Sequence, residues 1–271
     1  MKISPANFHD LIAHAMQNND FSGMRPVIEK EILHYDILFC LDQAGLLKDL
    51  VFQGGTCLRL CYGANRFSED LDFAGGPQFN AHHLSEIKDC LEHYIGNRYD
   101  LPRQRIKLEV ANIPAYTRTA QPLKNNYDFL PDGYADTLIY TETPAEIMAD
   151  KLVALPANQK YVRHRDFWDL TWLQQQQTRP NVDLVRKKIA DYHIDNFQSL
   201  LEARIGSVSE VVNSKAFHNE MKRFLPTNVY DRTLGQTKFN TYLTHTVLTL
   251  LETLHAQLYE PGLLQEPPFQ L

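Results

Sequence analysis

The chain has 271 residues, 44% of them hydrophobic and 22% charged, with a formal net charge of −6. That length supports one large domain or two modest ones around a substantial core, and the composition is that of a globular protein. The negative balance argues against a broad nucleic-acid-coating surface, and the absence of any apolar run of about 18 residues argues against a spanning helix.

Met1–Asp10 lacks the basic-then-apolar pattern of a secretory leader. Cys40, Cys57, Cys61 and Cys90 sit in apolar helical patterns without CxxC spacing, which suits core thiols of a cytoplasmic protein. Cations cluster at Arg103, Arg105 and Lys107, at Lys160, Arg163 and Arg165, and at Arg186, Lys187 and Lys188. Such clusters are either solvated faces or local phosphate contacts.

In chain order, residues 7–17 read as a short amphipathic helix. Pro26 opens a longer one, with Ile28, Ile32, Leu33, Ile37 and Leu41 at helical spacing and Gly45 at its end. Leu50–Phe52 is a short strand running into Gly54-Gly55-Thr56, after which Leu58, Cys61 and Tyr62 resume helical spacing. Arg66–Ala74 reads as a strand, stopped by Gly75-Gly76-Pro77. A helix is expected over 81–97. Strands are expected over 105–112, 127–130 and 135–140.

At Thr143 the texture changes. Thr143-Pro144-Ala145-Glu146 combines a capping box with proline at the first helical position. Helices are expected over 144–156, 160–177, 182–193, 208–223 and 236–258. The reading is an α/β domain over 1–142 followed by a helical domain over 143–271.

The chemistry concentrates in Gly54-Gly55-Thr56 and Ser68-Glu69-Asp70-Leu71-Asp72-Phe73. Residues two apart in a strand share a face, so Asp70 and Asp72 present two carboxylates together while Leu71 and Phe73 face a core. Adjacent carboxylates repel unless a cation neutralises them, and Mg²⁺ prefers such oxygens. The glycines allow close approach of a ligand to the backbone, and the helix start directs unpaired N–H groups toward a phosphate. The Thr56 hydroxyl either caps that helix or donates to a phosphate. Glu109 shares a strand face with Arg105 and Lys107, opposite Ile106, Leu108 and Val110, and supplies a third acid as metal ligand or base. A phosphate cradle with metal-binding acids is the equipment for phosphoryl or nucleotidyl transfer.

Phe52-Gln53-Gly54-Gly55-Thr56-Cys57-Leu58-Arg59-Leu60, followed by Arg66-Phe67-Ser68-Glu69-Asp70-Leu71-Asp72-Phe73, resembles the signature of the AbiEii/AbiGii toxin family of nucleotidyltransferases. Lys107-Leu108-Glu109 resembles that family's second motif. Lys151, with Arg165-Asp166-Phe167-Trp168-Asp169-Leu170, resembles its third. The resemblance spans roughly residues 26–172. The chain departs from the broader superfamily in having Gly-Gly-Thr where Gly-Ser is frequent, and Glu109 where the third acid is often Asp.

The resemblance implies a DNA polymerase β-like nucleotidyltransferase domain, with the helical domain contributing to the nucleotide cleft. It implies transfer of NMP from an NTP to an acceptor hydroxyl with Mg²⁺ or Mn²⁺, the acceptor being a tRNA 3′ end. It further implies a toxin restrained by a cognate antitoxin, in the abortive-infection manner.

Asp70, Asp72 and Glu109 would hold metal and, with Lys151 and Asp169, carry catalysis. Gly54, Gly55, Thr56, Ser68, Lys107, Lys151, Arg165 and Asp166 would contact the nucleotide. Arg165 and Asp169, at i, i+4, can also pair with each other, and Arg59 and Arg66 flank the cradle. The rival readings are nucleotidylation of a protein side chain and a non-catalytic nucleotide-binding regulator.

Overall fold

The computed structural model describes residues 5–95, 105–130 and 133–260; Arg103 and the expected helix end at 96–97 lie outside them. The chain divides into two compact units. One comprises Met1–Thr143 with Lys222–Tyr230, the other Pro144–Met221 with Asp231–Leu271. The return of Lys222–Tyr230 to the first unit has no counterpart in a simple division at residue 142.

The first unit begins with helices α1 (Pro5–Ala15) and α2 (Arg25–Gln43). Strand β1 (Val51–Gln53) leads directly into α3 (Gly54–Cys57), which continues as a π-turn over Leu58–Tyr62 and stops at Gly63 in the left-handed region. Strand β2 (Leu71–Ala74), helix α4 (Ala81–Ile95) and strands β3 (Leu108–Ala111), β4 (Thr119–Pro122) and β5 (Leu138–Thr141) follow.

The sheet order is β3-β2-β1-β5-β4. The β1–β2 and β4–β5 pairs are antiparallel, and the β1–β5 and β2–β3 pairs are parallel. One sheet face carries Phe52, Leu71, Phe73, Ile139 and Thr141, all buried. The Phe52 and Phe73 rings lie 5.0 Å apart. Side chains of this size contribute about 1.5–3 kcal/mol each on full burial. That burial fixes the register, because a slip of one residue would turn Asp72 into the core.

Two expectations differ here. The 127–130 segment forms a turn, although Tyr127 is buried. Strand β4 was not anticipated: Thr119-Ala120-Gln121-Pro122 has little alternation, and its proline is tolerated because β4 is an edge strand.

The second unit contains α5 (Pro144–Ala157), α6 (His164–Gln175), α7 (Val182–Asp191), α8 (Phe197–Asn213) and α11 (Thr237–Tyr259). Helices α9 (Lys215–Phe224) and α10 (Thr227–Arg232) run across the boundary of the two units. The expected single helix over 208–223 is two helices, broken at Ser214, whose backbone is extended. Leu243, Val247, Leu250, Leu251 and Leu254 recur at 3.6-residue spacing on α11 and are buried; α11 packs on α8.

The capping box takes another form. The Thr143 amide donates to the Thr117 hydroxyl at 3.0 Å, and Glu146 pairs with the buried Lys188 at 2.8 Å. Among the described residues, no helix is long and apolar enough to cross a membrane.

Candidate active site

The site in the first unit grows from the register of three strands. Gln53 pairs with Asp72, and Asp72 pairs with Glu109. Paired residues point to the same face and lie about 4.8 Å apart, so Gln53, Asp72 and Glu109 form a row across β1, β2 and β3. Asp70 precedes β2 and lies two residues from Asp72. The ladder extends to it through the Leu71 amide, which donates to the Lys107 carbonyl at 2.9 Å. Leu71 and Phe73 are wholly buried on the opposite face, as the alternation requires.

The glycines act more specifically than a ligand cradle alone requires. Gly54 has φ +77°, and a Cβ there would lie 2.7 Å from Asp72 Oδ2. It therefore supplies both a left-handed turn out of β1 and space for the Asp72 carboxylate. A Cβ on Gly55 would collide with the Arg66 guanidinium and lie 3.1 Å from Ser68 Oγ. Arg66 and Ser68 are themselves buried, and Arg66 donates to the Phe67 carbonyl at 2.6 Å. The bare glycine backbone thus lets the residues before Asp70 fold tightly over the helix start.

Thr56, read as a helix cap or a phosphate donor, does not cap α3 through its side chain. It is buried, and its hydroxyl donates to the Asp70 carbonyl, tying α3 to the entry of β2. The next carbonyl back is also held, because His34 Nε2 donates to the Glu69 carbonyl at 3.1 Å. The Glu69 carboxylate accepts from Lys30 at 2.8 Å. Burial lowers His34 to about 4, with Glu31 and the Glu69 bond opposing that shift, so the ring is neutral at pH 7.

Arg59 also turns inward. It makes two bonds to Glu31, at 2.9 and 3.0 Å, and lies over the Phe67 ring. Burial pushes its guanidinium down, but the adjacent Glu31 outweighs this and raises it. Arg59 is a buried tie between the π-turn and α2. These α2 residues were missed in the sequence, where Lys30, Glu31 and His34 appear only as polar interruptions of an apolar stripe.

Lys107 and Glu109 are both more than half exposed and pair at 2.6 Å. The bond from Glu109 raises the Lys107 ammonium, with Asp70 and Asp72 adding smaller effects of the same sign. Lys107 thus lies within electrostatic reach of all three acids.

Among the described residues, no three or more His, Cys, Asp or Glu side chains are gathered to hold a metal ion. The donors do suit a hard cation. Asp72 and Glu109 share one face, Asp70 stands immediately before β2, and the buried Gln53 Oε1 in the Asp72 row has no hydrogen-bond partner. Mg²⁺ takes one or two protein carboxylates and completes its shell with water and substrate phosphate, which this oxygen set fits.

In the second unit, Lys151 of α5 lies buried between two acids of α6, 2.8 Å from Asp166 and 2.7 Å from Asp169. Arg163 also binds Asp166. Burial pushes Asp166 up, but Lys151 and Arg163 together hold it well below the usual carboxylate range. Arg165 pairs with Glu220 at 3.4 Å, and His164 bonds the same carboxylate at 2.7 Å. The Lys151 ammonium is thus neutralised within its own unit. Trp168 is buried, as a core residue should be.

The family model of the AbiEii nucleotidyl transferase toxin of type IV toxin–antitoxin systems matches residues 36–102 and 96–245. The chain belongs to this family. It is a nucleotidyltransferase toxin, and the match contains both acid strands as well as Lys151, Asp166 and Asp169.

MenT4, a nucleotidyltransferase toxin from Mycobacterium tuberculosis H37Rv, has a similar fold. It aligns over 90% of this chain and 89% of its own with a TM-score of 0.59, at 17% identity. JHP933 from Helicobacter pylori aligns over 87% and 94% at 18% identity with a TM-score of 0.42, too loose a likeness to add to the argument. No curated protein sequence matches the chain.

Proposed function

We propose that this AbiEii-family toxin transfers an NMP from a Mg²⁺- or Mn²⁺-bound NTP to the 3′ hydroxyl of a tRNA, on the sheet face that carries Asp70, Asp72 and Glu109. The observation that carries the reading is the in-register pair Asp72–Glu109, with Asp70 beside it and Gly54 opening directly onto the Asp72 carboxylate.

Asp70 and Asp72 would hold the metal, which when bound would neutralise the triphosphate and polarise the α-phosphorus. The backbone amides at Gly54 and Gly55 would orient the phosphates, with Ser68 at their side. Lys107 would draw negative phosphate toward the acids, and in doing so would release Glu109 to accept the proton of the attacking hydroxyl. Thr56 and His34 would act through Asp70, by fixing the two carbonyls before β2.

For Lys151, Asp166 and Asp169 we propose a bracing role between α5 and α6, because the three charges are buried and mutually neutralised. Nucleotide contact by Lys151 and Arg165 is the second reading, carried by their family motif. A cognate antitoxin would restrain the enzyme, in the cytoplasm, and abortive infection would be the setting.

The test is incubation of the purified protein with Mg²⁺, total tRNA and each α-labelled NTP, followed by a denaturing gel. A labelled tRNA band establishes the acceptor. A labelled protein band with blank tRNA replaces it with a protein side chain, and nucleotide binding without product would leave a regulator.

A further inference from the structure

Cys40 lies on α2 and Cys90 on α4, fifty residues apart in sequence, and their sulfurs are 3.4 Å apart. Cys40 is 2% exposed, whereas Cys90 is partly open to solvent. Helices α2 and α4 pack against each other, so the two thiols meet across a formed helix interface. A disulfide needs about 2.05 Å between sulfurs, so the pair has about 1.4 Å to close.

We propose that Cys40 and Cys90 are a reversible disulfide site, closed by a peroxide. The Cys90 thiolate attacks the peroxide, the O–O bond breaks, and Cys90 becomes a sulfenic acid as hydroxide leaves. The Cys40 sulfur then attacks Cys90, the S–O bond breaks, and water leaves with the Cys40 proton. Two electrons pass from the thiol pair to the peroxide, and a dithiol reductant reverses the change.

The bond closes a loop that contains Gly54, Asp70 and Asp72, and it anchors α2, whose Lys30 and His34 hold the Glu69 segment. Oxidation therefore stiffens the unit around the site. Such a bond in a reducing compartment is transient and responds to oxidant.

The experiment treats the full-length protein with hydrogen peroxide, blocks remaining thiols with N-ethylmaleimide in denaturant, and maps peptides without reduction. The expected product is a Cys40–Cys90 peptide pair, with Cys57 and Cys61, both buried, recovered alkylated. The melting temperature should rise by roughly 5–15 °C on oxidation, return with dithiothreitol, and stay fixed in Cys90→Ser. Recovery of Cys90 as a sulfinic acid with Cys40 alkylated would overturn the proposal. So would pairing with another cysteine, or an equal thermal shift in Cys90→Ser.

Discussion

Gly54 is the point at which backbone conformation and chemistry can be separated by one substitution. Gly54→Ala introduces two penalties. The first is conformational, since φ is +77° and an L side chain in the left-handed region costs roughly 1–2 kcal/mol. The second is local, because the new Cβ would lie 2.7 Å from Asp72 Oδ2 and 3.4 Å from its Cβ and Cγ. The carboxylate end can rotate away at little cost in stability, but it then leaves its place beside Asp70.

Gly45→Ala provides the matched control. Gly45 has φ +70° with nothing within 4 Å of the new Cβ, so it carries the first penalty alone. Both variants should lose a similar 1–2 kcal/mol in urea unfolding. Only Gly54→Ala should lose activity, by about 100-fold, the scale expected when a reacting group is misplaced by about 1 Å. The assay is initial-rate transfer from labelled NTP at saturating Mg²⁺. Equal activity in the two variants would refute the claim that Gly54 exists to admit the Asp72 carboxylate.

Three further outcomes follow from the buried charges. His34 should make stability depend on acid: the unfolded imidazole takes up a proton below pH 6.5, while the folded one stays neutral to about 4. Stability is therefore full above pH 6.5 and falls toward pH 4. Between pH 7 and 5 the wild type should lose about 2 kcal/mol more than His34→Gln in urea titrations; equal losses would remove His34 from the account. Arg59→Met leaves Glu31 buried without its guanidinium and should cost about 3–5 kcal/mol, most of it recovered in Arg59→Met/Glu31→Leu. Lys151→Met should lower the urea midpoint by a similar energy and leave the KM for NTP unchanged in the folded enzyme. A raised KM with unchanged stability would return Lys151 to the nucleotide.

The parts of the site legible in sequence are those governed by short-range periodicity. Asp72 lies between Leu71 and Phe73 in β2, and the alternation alone assigns its face. Glu109 could be placed on a strand face in the same way, but only the parallel register sets it opposite Asp72. Sequence spacing carries no sign of the side chains that reach in from α2. His34 meets Glu69 across 35 residues, and Arg59 meets Glu31 across 28.

The nucleotide contact of Lys151 comes from the family motif alone, and its buried ion pairs are equally illegible in local sequence. Nothing local reveals that Asp166, fifteen residues on, will bury its ammonium. Strand β4 escaped notice because its pairing, not its composition, makes it a strand. The split at Ser214 escaped because the apolar spacing carries on across it.

The central claim is that Asp72 holds the metal that activates the nucleotide. It is tested most directly by Asp72→Asn, which keeps the shape and removes the charge. Transfer from labelled NTP should fall by more than about 100-fold, with a melting temperature equal to or above that of the wild type, since repulsion with Asp70 is relieved. A folded Asp72→Asn enzyme that keeps transfer within about tenfold of wild type would contradict the account.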